Sequence, residues 1–246
     1  TPESAYALGR ALGKQYQKGM QGASRIPNEE LRAARRQELE RLYRDPAVNR
    51  LKEAGQGGMD VPLYGEALLA FYGDRWEAAL KSLGEARRQA PWAYEILVLE
   101  GDVYLEWALQ VQEKGDQTRT EELLNQAAQP LELAANIARS DPAVYEDLAR
   151  VWIARLELAR SRGRPAEMIL ARVDENLRLA FAADPNRADT YVLRAAALSR
   201  WADILHETGR EEGPALEQSS EAARRAIALD PANAEAYNLY GRNLWR

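Results

Sequence analysis

The side chains that most often carry covalent or metal chemistry are nearly absent: His206 is the sole histidine and there is no cysteine. Without cysteine the chain has no thiolate ligand, no disulfide and no sulfur nucleophile. One imidazole builds neither a histidine metal cluster nor a paired-imidazole mechanism. His206 follows Asp203-Ile204-Leu205, late in an apolar-periodic stretch, and a helix C-terminus favours such a side chain through its dipole. An exposed helix-end position is expected for it. Carboxylate pairs are plentiful, as at Glu29/Glu30, Glu121/Glu122 and Glu211/Glu212. A hydrolytic acid/base pair must face across a cleft, whereas neighbours along a helix do not face each other. Gly55-Gln56-Gly57-Gly58 lacks the Lys-Ser/Thr and the preceding buried strand of a phosphate-cradling loop. It reads as a flexible joint. No catalytic residue, metal site or cofactor is expected.

The charge pattern points the same way. Net charge is −5, and the basic residues, mostly arginine, alternate with acidic ones. Even the densest basic stretch, Arg32, Arg35, Arg36, Arg41 and Arg44, is interleaved with Glu29, Glu30, Glu38 and Glu40. Such interleaving marks a solvated helix face and argues against a nucleic-acid footprint. No apolar run approaches the roughly 20 residues that span a bilayer, so no membrane insertion is expected. The chain begins at Thr1 with no cationic-then-apolar leader. The cytoplasm is the favoured compartment, with export left open.

The elements that must position the side chains are set by a repeat. Asp141-Pro142, Asp184-Pro185 and Asp230-Pro231 each follow an alanine-rich helical stretch, and proline enters a helix at its first turn, not its interior. Tyr145, Tyr191 and Tyr237 lie 46 residues apart, each followed four residues later by Ala149, Ala195 or Gly241. Gly163 and Gly209 keep the same 46-residue offset, and Gly101 and Gly115 continue the pattern one unit earlier. Apolar residues at Val144, Tyr145, Leu148, Val151, Trp152 and Leu156 recur at intervals of three and four, as an inward-facing helix requires. The spacing predicts an all-α chain of antiparallel helix pairs, with a small residue where each first helix packs tightly. The surplus length predicts long first helices followed by long loops, turning near Gly115, Gly163 and Gly209. Trp76, Trp92, Trp107, Trp152, Trp201 and Trp245 are expected to fill gaps between helices.

Ala234-Glu235-Ala236-Tyr237-Asn238-Leu239-Tyr240-Gly241-Arg242-Asn243-Leu244 resembles the first helix of a tetratricopeptide repeat. Gly73-Asp74-Arg75-Trp76-Glu77-Ala78-Ala79-Leu80, running on to Pro91, and Ala222 to Pro231 resemble its turn and second helix. The family's usual period is about 34, so this chain resembles a long-period variant. The resemblance implies a single right-handed superhelical solenoid over 1–246. Repeats are expected near 1–46, 60–91, 92–142, 143–185 and 186–231, plus a first helix at 234–246. Ala5 to Gly13, Tyr43 to Ala47 and Leu99 to Tyr104 further resemble the region following the catalytic domain in some bacterial Ser/Thr protein kinases of eukaryotic type. None of the kinase catalytic motifs is in the sequence, so this would be a non-catalytic arm.

The family's first helices line a concave groove that takes a peptide or partner helix. Transferred to this sequence, the groove would be lined by Glu95, Val98, Asp102 and Glu106, then Glu146, Asp147 and Arg150, then Asp189, Val192 and Ser199, with Asn238 and Arg242 closing the row. Its acidic middle and arginine end imply a basic or bipolar protein segment as partner. The expected function is a protein–protein interaction scaffold. The alternative is a structural protein assembling head-to-tail into homo-oligomers or filaments. In that reading the lone last helix exposes Tyr237, Tyr240, Leu244 and Trp245, since uncapped repeat ends associate. A segment of a longer polypeptide would show the same end.

Overall fold

The computed structural model describes residues 1–23, 26, 28–56 and 62–245. Regular structure among them is helical throughout, with no strand, as the three-and-four spacing predicts. None of these helices is long and apolar enough to cross a membrane. The chain divides into two compact units, Thr1–Pro91 and Trp92–Arg246.

The first unit contains α1 (Pro2–Ala23), α2 (Glu29–Leu39), a π-helical turn (Glu40–Arg44), α3 (Asp45–Gln56), α4 (Pro62–Phe71) and α5 (Trp76–Gln89). Its chief pairings are α1 with α3 and α4 with α5. Glycines let α1 approach closely. A Cβ on Gly9 would lie 2.9 Å from Leu51 Cγ, and one on Gly13 would overlap the ring of buried Tyr72. The boundary expected at Pro46 is not a helix end. Instead the helix runs on from α2 through the π turn, where the Asp45 N–H donates to the Glu40 carbonyl five residues back. Pro46, which has no N–H to donate, then falls in the first turn of α3, where none is required. Of the glycine-rich stretch expected as a joint, Gly55 lies in the last turn of α3; Gly57 and Gly58 lie outside the described residues, as does the boundary at residue 60.

Tyr16 on α1 is buried, and its phenol is pushed up to about 12 by burial, with Asp74 and Glu40 adding to the shift and Arg44 opposing it. The folded value lies above the ordinary 10. Its contribution to stability is therefore complete below about pH 10 and is lost as pH rises toward 12. Thermal melts across that window should show the loss in the parent and a smaller one in Tyr16→Phe. Equal pH dependence in both proteins would assign it elsewhere.

The second unit contains α6 (Tyr94–Glu113), α7 (Gln117–Ile137), α8 (Pro142–Ser161), α9 (Glu167–Ala183), α10 (Ala188–Glu207), α11 (Gly213–Leu229) and α12 (Ala234–Leu244). α6, α8 and α10 are each 20 residues long. They stop at Gly115, Gly163 and Gly209, whose φ angles of +83°, +60° and +69° lie in the left-handed region that glycine enters without a Cβ clash. Arg164 N–H closes on the Ala159 carbonyl at 2.9 Å and Arg210 N–H on that of Leu205 at 2.8 Å, satisfying last-turn acceptors. Only residues 114–116, 162–166 and 208–212 connect the pairs. The surplus period thus goes into helix length, and the expected long loops are short turns.

Each Asp-Pro signal forms one local device. Asp141, Asp184 and Asp230 accept the backbone N–H two residues on through Oδ1, at 3.0, 3.0 and 3.1 Å. This side-chain turn competes with helix continuation. Pro142 opens α8 directly, whereas Pro185 and Pro231 sit in the turns before α10 and α12.

Successive helices of this unit pack on one another. In addition α6 touches α8, α8 touches α10 and α10 touches α12. No comparable contact links α7 to α9 or α9 to α11 among the described residues. The core follows the same order. Leu105, Leu123, Leu124, Leu131, Leu148 and Val151 join α6, α7 and α8. Ala149, Ile153, Val173, Leu177, Leu193 and Ala197 join α8, α9 and α10, and an alanine-rich set joins α10, α11 and α12. Gly101, Ala149 and Ala195 are buried at these contacts, and a Cβ on Gly101 would lie 2.5 Å from Leu131 Cγ. Gly241, the fourth position of that set, is only half-buried, and a Cβ there meets nothing within 4 Å. No described helix presses on that side of α12.

The tryptophans divide. Trp107, Trp152 and Trp201 are half-buried against the core clusters, and each carries a guanidinium on its ring: Arg119 at 5.1 Å, Arg155 at 4.4 Å and Arg210 at 5.3 Å. Trp92 and Trp245 are exposed and fill no gap.

Candidate partner-binding face

The first turns of α8 form an unbroken buried run, Val144-Tyr145-Glu146-Asp147-Leu148-Ala149. Glu146 is 2% exposed. Arg187, in the turn before α10, donates to it from Nε at 2.9 Å and from Nη2 at 2.7 Å, and the Thr190 hydroxyl on α10 donates at 2.5 Å. This two-pronged pairing with a planar guanidinium is what a carboxylate removed from water requires. The hydrogen bond to Glu146 holds the Arg187 guanidinium above its ordinary range against the opposing effect of burial. Glu146 therefore clasps α8 to α10 and offers nothing to solvent.

Beside it, Arg150 Nη1 donates to Asp147 at 2.6 Å. Burial disfavours the Arg150 cation, but Asp147, Asp102, Glu146 and Asp189 together outweigh it and raise its pKa. Asp147 thus bonds this guanidinium while carboxylates on α6 and α10 act on it through space, and the four carboxylates outnumber Arg150 and Arg187. This stretch of the row is acidic.

Farther along, Arg242 on α12 donates to Ser199 Oγ at 2.9 Å and to Asp203 at 3.0 Å. The Ser199 hydroxyl donates to Asn243 at 3.2 Å, Asn243 donates to Ser219 at 2.7 Å, and Ser219 donates to the Ala195 carbonyl at 2.7 Å. Each buried polar side chain of this chain of bonds finds a partner. It ties α12 to α10 and α11, and it commits the Arg242 charge to Asp203.

Of the residues expected to line a groove, Arg150 bonds Asp147 and feels the charges of Asp102, Glu146 and Asp189, and Ser199 meets Arg242. Glu146, Asp147, Val192 and Ser199 are buried. Val192 belongs to the core of α10–α12, and half-buried Val98 packs against the core of α6–α8. Glu106 is half-buried, whereas Glu95 and Asn238 are exposed. On α12 and its C-cap, Tyr237, Leu244 and Trp245 are exposed, while Tyr240 packs against the alanine-rich core of α10, α11 and α12. His206 is exposed at the end of α10, with Nδ1 3.0 Å from Glu212.

Arg187, Thr190, Asp203, Ser219 and Asn243 were not singled out by their sequence context. A signal for several of them was present. Glu146–Thr190 and Ser199–Asn243 are polar pairs 44 residues apart, and Tyr94–Asp141 and Arg160–Glu207 are 47 apart. These offsets lie within two residues of the 46-residue repeat. A scan against protein-family models and a search of the curated proteins found no match to this chain.

Proposed function

We propose that the chain is a non-catalytic protein-binding scaffold, a long-period tetratricopeptide-like solenoid that takes a basic or bipolar partner segment along α6, α8, α10 and α12. The observation that carries this reading is the charge of one row of helices, where Asp147 bonds Arg150 at 2.6 Å and Asp102 on α6 and Asp189 on α10 act on the same guanidinium through space. The contact pattern supports placing that row inside a curve, because these helices touch one another while no comparable contact links α7, α9 and α11 among the described residues. Inner elements of a curved stack lie closer than outer ones. The kinase resemblance extends the reading: such a scaffold would serve as the partner-recruiting arm of a kinase.

A peptide array tests it. The parent chain should select lysine- and arginine-rich segments. Asp102→Lys with Asp189→Lys should weaken binding of the best peptide at least about tenfold, or 1.4 kcal/mol. Selection of acidic or purely apolar peptides, or unchanged binding by the double variant, rejects the reading.

A second reading, self-association, is favoured by α12. Tyr237 is 51%, Leu244 65% and Trp245 93% exposed. Tyr237 and Leu244, seven residues apart, share one helix stripe, and burial of such side chains is worth about 1.5–3 kcal/mol each. Sedimentation velocity should show concentration-dependent association that Tyr237→Ser with Trp245→Ser removes. A parent that stays monomeric at high concentration eliminates this reading.

A further inference from the structure

A cleft of about 140 Å³ lies among α7, α8 and the turn into α9, walled by Trp152, Pro165 and Ile169 on its apolar side and by Arg155, Arg162 and Arg164. The one carboxylate lining it belongs to Glu121. Arg162 bonds that carboxylate and also donates to the Gln117 carbonyl at 2.6 Å. Arg164, largely exposed, lies 3.5 Å from the same carboxylate. Three guanidiniums therefore line the cleft with one carboxylate, and Arg162 and Arg164 already pair with it.

Arg155 is the least satisfied of the three. Its Nη2 donates only to neutral acceptors, the Leu124 carbonyl at 3.1 Å and Asn125 Oδ1 at 2.7 Å. No carboxylate of the described residues reaches it. Its Nε is buried with no acceptor. The guanidinium lies over Trp152, whose ring also carries Arg172 at 5.4 Å. Burial lowers the Arg155 pKa, and Arg172 adds to that against Glu132 and Glu121. A half-buried cation with an unused N–H departs from the rule that buried charges and donors are matched. An incoming oxyanion supplies the missing counter-charge.

We propose that this cleft is an anion-recognition site for the carboxylate of a glutamate or aspartate side chain presented by an acidic segment of a protein partner. The Trp152, Pro165 and Ile169 wall selects a side-chain carboxylate over a phosphate, because it matches the methylene stem of an acidic side chain and offers a phosphate nothing. The site lies on α7–α9 and is opposite in sign to the acidic row of α6, α8 and α10, so it stands or falls separately from the groove reading.

The test uses the whole chain with ¹⁵N-labelled arginine and the probe N-acetyl-glutamate N-methylamide, with its glutamine counterpart and inorganic phosphate as parallel arms. The Arg155 Nε–Hε resonance should shift saturably with the glutamate probe, with a Kd on the order of millimolar, and should not respond to the glutamine probe. Arg155→Gln should weaken binding, followed on the Trp152 indole resonance, at least about tenfold, the worth of a charge-assisted hydrogen bond. Because Arg155 also packs on Trp152, Arg164→Gln provides a variant at an exposed position and should weaken binding severalfold with an unchanged melting temperature. The site is overturned by no saturable response to glutamate, by equal response to glutamine, or by binding that neither variant alters. Tighter binding of phosphate than of glutamate overturns the carboxylate assignment.

Discussion

With Arg187 replaced by alanine, the second unit is expected to lose about 3 kcal/mol of stability. Removing one partner of a buried ion pair typically costs about 3–5 kcal/mol, and the lower end applies because the Arg187 side chain is 34% exposed. The cost arises at Glu146, which stays 2% exposed and keeps only the Thr190 hydroxyl as donor. Arg187→Ala combined with Glu146→Gln should recover part of the loss, since a neutral amide needs no counter-charge. Urea unfolding followed by tryptophan fluorescence reads the effect, because every tryptophan except Trp76 belongs to the second unit. A change below about 1 kcal/mol is the size of a surface ion pair and would mean that Glu146 is solvated.

Ala149→Leu is expected to cost about 1–3 kcal/mol through overpacking. Ala149 has no exposed surface, and its cluster of Ile153, Val173, Leu177, Leu193 and Ala197 is contributed by three helices. The informative comparison is Gly241, which occupies the same place in the repeat. A Cβ there meets nothing, so Gly241→Ala should be neutral or stabilise α12 by roughly 0.5–1 kcal/mol. The same unfolding assay measures both variants. Equal costs at the two positions would show that they are not equivalent sites with and without a covering helix.

Much of the second unit was legible because its signals are local and recur. Gly115, Gly163 and Gly209 stop helices by backbone sterics alone, and the Asp-Pro turns close through their own side chains. Pro46 misled for the opposite reason. Proline reads as a helix break, but the preceding π turn re-registers the backbone, and nothing at Pro46 announces it. The long loops were misplaced because polar residues such as Glu113, Glu207 and Thr208 end helices as readily as they fill loops. The face was the least legible part. α8 is covered on several sides, so its buried run includes Glu146 and Asp147. A single apolar stripe no longer separates inside from outside there. Whether a glutamate is buried depends on a partner such as Arg187, 41 residues away.

The most direct test of the account is to locate a bound partner. The best basic peptide from the array, carrying a benzophenone, is crosslinked to the full chain by light, and the adducts are mapped by mass spectrometry. The account predicts adducts on α6, α8 and α10 around Asp102, Arg150 and Asp189, lost when Asp102 and Asp189 are changed to lysine. Adducts confined to α7, α9 and α11, or spread evenly over both sets of helices, would contradict it.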